Sequence, residues 1–245
     1  MKAAILAGGQ GSRLGGSEGT PKPLVEIGGR PILWHIMMHY VTYGFRDFVI
    51  ALGHGGDAIQ RFVAELRAGG AGPFGSVELV ETGGPTMTGG RIKRLQPYLG
   101  DRTFMLTWAD GISDVDLRKL ADFHAGHGRL ATVTAVRPPP RFGRLTLDGN
   151  RVTEFSEKPH DQDGWINGAF FVLEPAIFDY VEGDATEWER GPLEQLARDG
   201  ELMAYRHTGF WACVDTPADL KQVRKLWDTG QRPWATWEKR ACASS

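Results

Sequence analysis

Apolar positions along the chain fall into short runs that alternate with stretches of helical period. Residues 3–6 form an apolar run cut off by Ala7-Gly8-Gly9, the pattern of a buried strand that opens into a loop. Beyond that loop Pro31 suits the opening of a helix, and Ile32, Leu33, Ile36, Met37, Tyr40 and Val41 recur at helical spacing until Gly44. The alternation continues with strands predicted at 48–52, 77–80, 104–107 and 131–136 and helices at 58–66, 92–99 and 115–124. Such a succession predicts an α/β fold: a Rossmann-like, mainly parallel sheet with helices on both faces, linked by right-handed crossovers.

After the prolines at 138–140 the rhythm changes. Segments 144–147 and 152–155 flank an Asp148-Gly149-Asn150 turn, which predicts a small antiparallel hairpin. Segment 169–173 returns to the sheet, helices follow at 176–181 and 192–198, then a strand at 202–205 and a last helix at 218–227. Neither a linker nor an internal repeat divides the chain, so a single domain of two parts is expected, 1–136 and 137–240.

Composition narrows the function. With 245 residues, 41% of them hydrophobic, the chain can bury a sizeable core. A net charge of -2 provides no basic field for nucleic acid, and no apolar run reaches membrane-spanning length. Two cysteines, Cys213 and Cys242, and the absence of signal-peptide flanks predict a reduced, cytoplasmic protein. Among the 33 glycines are pairs such as Gly8-Gly9, Gly55-Gly56 and Gly89-Gly90, which mark places where backbone turns tightly or approaches a ligand.

In open α/β sheets ligands sit beyond the carboxyl ends of the strands, so the segments after each strand are where chemistry is sought. The first is Leu6-Ala-Gly-Gly-Gln-Gly-Ser-Arg-Leu14, continuing through Thr20-Pro-Lys-Pro23. Its glycines, Gly8, Gly9 and Gly11, let backbone N–H groups close around phosphate oxygens beside Ser12, while Arg13 and Lys22 supply fixed positive charge. The segment lacks the Gly-Lys-Ser/Thr of a Walker A loop and the third glycine of a dinucleotide fingerprint; a surface turn is the bland alternative. Asp110-Gly111 follows the strand at 104–107, where a carboxylate suits a Mg²⁺ shared with substrate phosphates, although an Asp-Gly turn often does no more than end a strand. In Val214-Asp215-Thr216-Pro217 a second carboxylate stands before a helix, as a metal ligand, or else Asp215 or Thr216 simply caps that helix. Lys158, in Glu157-Lys158-Pro159, and Asn167-Gly168 suit a sugar phosphate and sugar hydroxyls, or else a solvated hairpin end.

Other chemistries fit less well. His35 and His39 have the spacing of two zinc ligands on a helix, but no Glu follows His35 and no third ligand is evident. Cys213 is flanked by apolar residues and has no adjacent His, which makes it a pocket-wall residue rather than a nucleophile. A Gly-x-Ser-x-Gly elbow is absent.

Taken in order, the loop at 6–14, Pro21-Lys22-Pro23, Asp110-Gly111, Glu157-Lys158-Pro159, Asn167-Gly168 and Val214-Asp215-Thr216 resemble the signature series of sugar-1-phosphate nucleotidyltransferases. Within that superfamily, Val25-Glu-Ile-Gly-Gly-Arg-Pro-Ile-Leu-Trp-His-Ile-Met37, Met87-Thr-Gly-Gly-Arg91, Arg141-Phe-Gly143, Gly200-Glu-Leu-Met-Ala204, Gly209-Phe-Trp211 and Pro233-Trp-Ala-Thr-Trp-Glu238 resemble the bacterial glucose-1-phosphate cytidylyltransferases. The resemblance implies a nucleotide-binding part at 1–136 and a sugar-phosphate-binding part at 137–240. It implies that Arg13 and Lys22 hold phosphates, that Asp110 and Asp215 bind Mg²⁺, and that Lys158 grips the sugar phosphate. Gly143, Glu157, Asn167 and Gly168 would face the sugar. The backbone of Leu6, Ala7, Gly8 and Gly9 with Thr88, Gly89 and Gly90 would frame the base, and Arg91 would help hold the nucleotide. The implied partners are a nucleoside triphosphate and a sugar 1-phosphate, in a homo-oligomer. CTP and glucose 1-phosphate are the expected pair, with GTP, dTTP or UTP, or another sugar, as the nearer alternative. A non-catalytic sugar-nucleotide sensor is the more distant one, and the retention of Arg13, Lys22, Asp110, Lys158 and Asp215 speaks against it.

Overall fold

The computed structural model describes residues 1–9, 20–70, 72–138, 144–156 and 164–238. In chain order the strands are β1 (Ala3–Leu6), β2 (Glu26–Ile27), β3 (Arg30–Pro31), β4 (Phe48–Leu52), β5 (Val77–Glu81), β6 (Phe104–Trp108), β7 (Gly111–Ser113), β8 (Ala131–Val136), β9 (Arg144–Asp148), β10 (Arg151–Ser156), β11 (Ile166–Leu173), β12 (Leu202–Arg206) and β13 (Trp211–Cys213). The helices are α1 (Ile32–Thr42), α2 (Gly56–Ala68), α3 (Thr88–Leu99), α4 (Leu117–His127), α5 (Pro192–Arg198) and α6 (Pro217–Asp228).

Seven strands form one sheet in the order β12-β8-β11-β6-β1-β4-β5. β11 runs antiparallel to β6 and β8, and the other pairings are parallel. β9 and β10 make the expected antiparallel hairpin. The predicted α/β class holds, and period-two alternation explains why its central strands read as unbroken apolar runs. Ala3, Ile5, Phe48, Ile50 and Leu52 point into a core layer with α1, α2, α4 and α6. Ala4, Leu6, Val49 and Ala51 point the other way, onto α3, α5 and Trp188. Both faces are therefore apolar, and truncating a ring such as Phe48 to Ala should cost about 3–5 kcal/mol.

Several boundaries differ from those expected, each for a local reason. α3 begins at Thr88 rather than 92, taking in Gly89 and Gly90, weak helix formers stabilised here by tertiary packing. A Cβ on Gly90 would lie 2.5 Å from Asp184 Cα, and one on Gly89 would lie 2.7 Å from the Thr186 carbonyl, so the helix backs directly onto that loop. α4 begins after Asp116, whose carboxylate accepts from the backbone N–H groups of Arg118 and Lys119, while Val115 is buried before the cap. The segment expected as a helix at 176–181 is a 3₁₀ helix, Pro175–Tyr180. The two-stranded ribbons β2–β3 and β7–β13 have too few residues to show a period.

Candidate active site

The parallel strands β1 and β6 lie side by side, with Leu6 opposite Trp108, so the loops that follow them open at one sheet edge. Immediately after β6 the chain turns through Ala109-Asp110 into β7. β7 pairs antiparallel with β13, Gly111 facing Cys213. Continued by one position, that register sets Val214 opposite Asp110, and the Val214 N–H donates to the Asp110 carbonyl at 2.9 Å. Two carboxylates 105 positions apart in sequence are thereby brought together, Asp110 and Asp215.

The helix cap that competed for Asp215 belongs to its neighbour. Thr216 caps α6 by accepting from the Asp219 N–H, and the Asp219 carboxylate accepts in return from the Thr216 N–H at 2.9 Å, a reciprocal capping box. Asp215 instead turns to Lys22, which stands at the start of the 3₁₀ turn Lys22–Leu24. The Lys22 ammonium donates to Asp110 Oδ2 at 2.7 Å and to Asp215 Oδ1. Burial works against this ammonium, but the charge and hydrogen bond of Asp110, followed by the bond to Asp215, outweigh it and hold its pKa above the ordinary lysine value. The Cys213 thiol donates to Asp215 Oδ2 at 3.3 Å. Burial, with Asp110 and Asp215, pushes that thiol well up, so it stays protonated, a pocket-wall group rather than a nucleophile.

One donor atom each from Asp110, Cys213 and Asp215 lies within 4.8 Å of the others. The Lys22 ammonium stands among them as a cation would. Two hard carboxylates suit a Mg²⁺ that completes its shell with water and phosphate; a protonated thiol does not.

A cleft of about 660 Å³ adjoins the two carboxylates, with Trp108, Asn167, Trp211 and Glu189 in its walls. The β11 ladder is irregular between Asn167 and Phe171, and Ala169 adopts a left-handed φ of 60°, unusual for a residue with a side chain. This bulge is pinned from two sides. Asn167 Oδ1 accepts from the Ala169 N–H at 2.8 Å, and the Trp211 indole N–H donates to the Gly168 carbonyl at 2.8 Å. Irregular backbone held by such contacts sets Asn167 in the cleft wall.

On the other side of β1, Arg91 is buried behind the phosphate-loop candidate. Its guanidinium donates to the Leu52 carbonyl at 3.1 Å, to Thr82 Oγ1 at 2.6 Å and to the Gly84 carbonyl at 3.2 Å. Burial, and to a lesser extent Arg94, lowers its pKa. A Cβ on Gly8 would lie 2.5 Å from the Arg91 Nη1, so Gly8 is the only residue type that fits over that guanidinium without displacing it. The described contacts of Arg91 are thus with the protein's own loops. Thr88 is tied across the site: its hydroxyl donates to Glu189 at 2.7 Å and accepts from the Trp188 N–H at 2.9 Å.

Lys22, Asp110 and Asp215 therefore meet at one point, Asn167 lines the cleft beside them, and Leu6 to Gly9, Gly89, Gly90 and Arg91 lie toward β4 and α3. Gly11, Ser12, Arg13, Gly143, Glu157 and Lys158 lie outside the described residues. The sequence assigned no site role to Trp108, Trp211 or Glu189, whose place in the wall is set by partners far along the chain. The two histidines offered as zinc ligands are engaged in packing: His35 Nε2 donates to the Ile27 carbonyl at 2.9 Å, and His39 Nδ1 shares a hydrogen bond with Thr236 Oγ1 at 3.1 Å.

A family model described as nucleotidyl transferase matches residues 2–225. The chain belongs to the nucleotidyl transferase family. Among curated relatives of this nucleotidyl transferase is a glucose-1-phosphate cytidylyltransferase of Salmonella typhi, 45% identical over 97% of this chain and 100% of its own length. A mannose-1-phosphate guanyltransferase of Aspergillus oryzae is 32% identical, over 90% of this chain and 62% of its own length. Among solved structures, HddC from Yersinia pseudotuberculosis superposes with a TM-score of 0.73 at 25% identity, covering 92% of this chain and 99% of HddC. Among the described residues no helix is long and apolar enough to cross a membrane.

Proposed function

We propose that this nucleotidyl transferase joins CTP and glucose 1-phosphate to give CDP-glucose and pyrophosphate. The convergence of Asp110, Asp215 and Lys22 beside a cleft lined by both polar and apolar residues carries the reading of the site. The choice of cytidine and glucose is supported by end-to-end likeness to the Salmonella typhi cytidylyltransferase. The lower likeness to a mannose-1-phosphate guanyltransferase supports a second reading, the same chemistry on another nucleotide and sugar 1-phosphate. A cytoplasmic location is part of the same reading, supported by the absence of a membrane-spanning helix among the described residues.

The reaction is an in-line attack by a phosphate oxygen of the sugar 1-phosphate on the α-phosphorus of the triphosphate. The new O–P bond forms as the bond to the β-phosphate oxygen breaks, and pyrophosphate leaves with that electron pair. A phosphate monoester with a second pKa of about 6 is already mostly dianionic at neutral pH, so the attack requires no general base. The barrier is repulsion between two anions, met by positioned cations. Asp110 and Asp215 would hold Mg²⁺, which when bound screens charge on the phosphates. Lys22 leaves the two carboxylates to reach the triphosphate, and Arg13 and Lys158 complete the cationic set. Arg91 acts from behind, fixing the loops at Leu52 and Gly84 and hence the wall against which Gly8 lies.

The test is pyrophosphate release for CTP, UTP, GTP and dTTP, each against glucose 1-phosphate and mannose 1-phosphate. CTP with glucose 1-phosphate should turn over fastest. Lys22→Ala and Asp110→Asn should each lose on the order of 10²-fold or more while staying folded. Wild-type rates in both folded variants would refute the site, whereas turnover with a non-cytidine nucleotide alone would refute only the base assignment.

A further inference from the structure

At the end of β8, Val136 faces Ile166 across the antiparallel ladder, so the next pair outward is Arg137 and Trp165. The Arg137 guanidinium carbon lies 5.1 Å from the Trp165 ring centroid. Arg206, ending β12 on the other flank of β8, lies 5.7 Å from the same ring. Two guanidinium groups thus share one indole that is itself 38% exposed. Among the described residues neither group makes an ion pair or hydrogen bond, in contrast to Arg91, which makes three hydrogen bonds. A guanidinium over an aromatic face keeps its N–H donors, which radiate in its own plane, available to a planar or tetrahedral oxyanion.

The placement decides what such an anion is. β8 and β12 run parallel, and Arg137 and Arg206 stand at their carboxyl ends, the ligand-binding edge of an open sheet. Arg137 also lines the cleft beside Asp110 and Asp215, where the other described charged wall residues, Asp110, Glu189, Asp215 and Asp219, are all acidic. Among the described residues that line this cleft Arg137 is the one cation, while Lys22 beside it is engaged by Asp110 and Asp215. We propose that Arg137 is a further binding residue for the phosphate of the sugar 1-phosphate, held ready by Trp165 as a positioning residue, with Arg206 adding to the local positive potential. This rests on the reading of the cleft as the sugar-phosphate side.

A charge-assisted hydrogen bond of this kind corresponds to about tenfold or more in affinity. Calorimetric titration of the full chain with glucose 1-phosphate should therefore give at least about tenfold weaker binding for Arg137→Ala, a partial loss for Arg137→Lys, and little change with free glucose as ligand. In pyrophosphate-release assays the same variant should raise KM for glucose 1-phosphate while leaving KM for CTP and kcat within about twofold. Trp165→Ala should reproduce part of the KM effect for glucose 1-phosphate with KM for CTP and kcat within about twofold, a selectivity that a purely structural role of the indole would not show, and Trp165→Phe, which keeps an aromatic face, should restore it. Arg137 is exposed, so the variants should keep the wild-type melting temperature. Equal glucose 1-phosphate affinity in wild type and Arg137→Ala overturns the proposal. Absence of turnover for every substrate pair in the wild type would instead strike the function proposed above, and the calorimetric comparison would still decide the role of Arg137.

Discussion

Acidification from pH 7.5 to pH 5 should remove about 4 kcal/mol of folding stability, through two histidines on one helix face. His35 and His39 are 1% and 3% exposed, on the side of α1 that meets the carboxy-terminal segment. His35 is ringed edge-on by Trp34, Trp227 and Trp234. Burial lowers the pKa of each to about 4. The backbone at Ile27 and Arg30 and the charge of Glu238 partly offset this for His35, which also faces Arg30; Asp114, the Val115 backbone and Asp116 do so for His39, which also faces His207. In the unfolded chain both return to about 6.5. Between pH 6.5 and 4 the unfolded state therefore binds more protons, and stability falls as pH falls, by about 1.4 kcal/mol per pH unit for each histidine. Integrated from pH 7.5 to 5, each contributes about 2 kcal/mol, a large share of a typical 5–15 kcal/mol. Urea unfolding followed by tryptophan fluorescence at pH 7.5, 6 and 5 measures this directly. A His39→Gln variant, less stable at pH 7.5, should lose only about half as much on acidification. Stability within about 1 kcal/mol at pH 7.5 and 5, or identical losses in wild type and variant, would show that the buried imidazoles do not govern acid lability.

Three further outcomes follow from particular contacts. Lys22→Met removes the ammonium that already neutralises Asp110 and Asp215, so the nucleotide-free protein should bind Mn²⁺ at least about tenfold more tightly by electron paramagnetic resonance; unchanged affinity would argue against competition between the lysine and a metal. Gly8→Ala sets a methyl group 2.5 Å from Arg91 Nη1 and 3.0 Å from the Gly53 nitrogen, and should cost about 1–3 kcal/mol in urea unfolding with a raised KM for CTP. Thr216→Ala breaks the capping box beside Asp215 and should cost about 1 kcal/mol, together with a fall in pyrophosphate release that exceeds any change in KM for CTP.

Local information was enough for the fold class. The runs at 48–52 and 131–136 coincide with β4 and β8, and 192–198 coincides with α5, because four to seven residues of consistent period specify which face is buried. It was enough also to single out Lys22, Asp110 and Asp215 as candidates, since each follows a strand or opens a turn, and the structure brings the three together. Whether Asp215 or Thr216 capped α6 was not decidable from adjacent residues that both make good caps; the reciprocal bond from Asp219 selects Thr216 and leaves Asp215 facing Lys22. Nor was the meeting of positions 110 and 215 legible, because it depends on three-residue strands whose pairing spans about a hundred residues and whose lengths carry no period. The surroundings of Arg91 and the Arg137–Trp165–Arg206 cluster are likewise set by which strands end side by side. The sequence by itself determined the main elements of the large sheet and the residue types suited to phosphate chemistry; sheet order and the β7–β13 ribbon decided which of them come together, because such contacts form only once distant segments have packed.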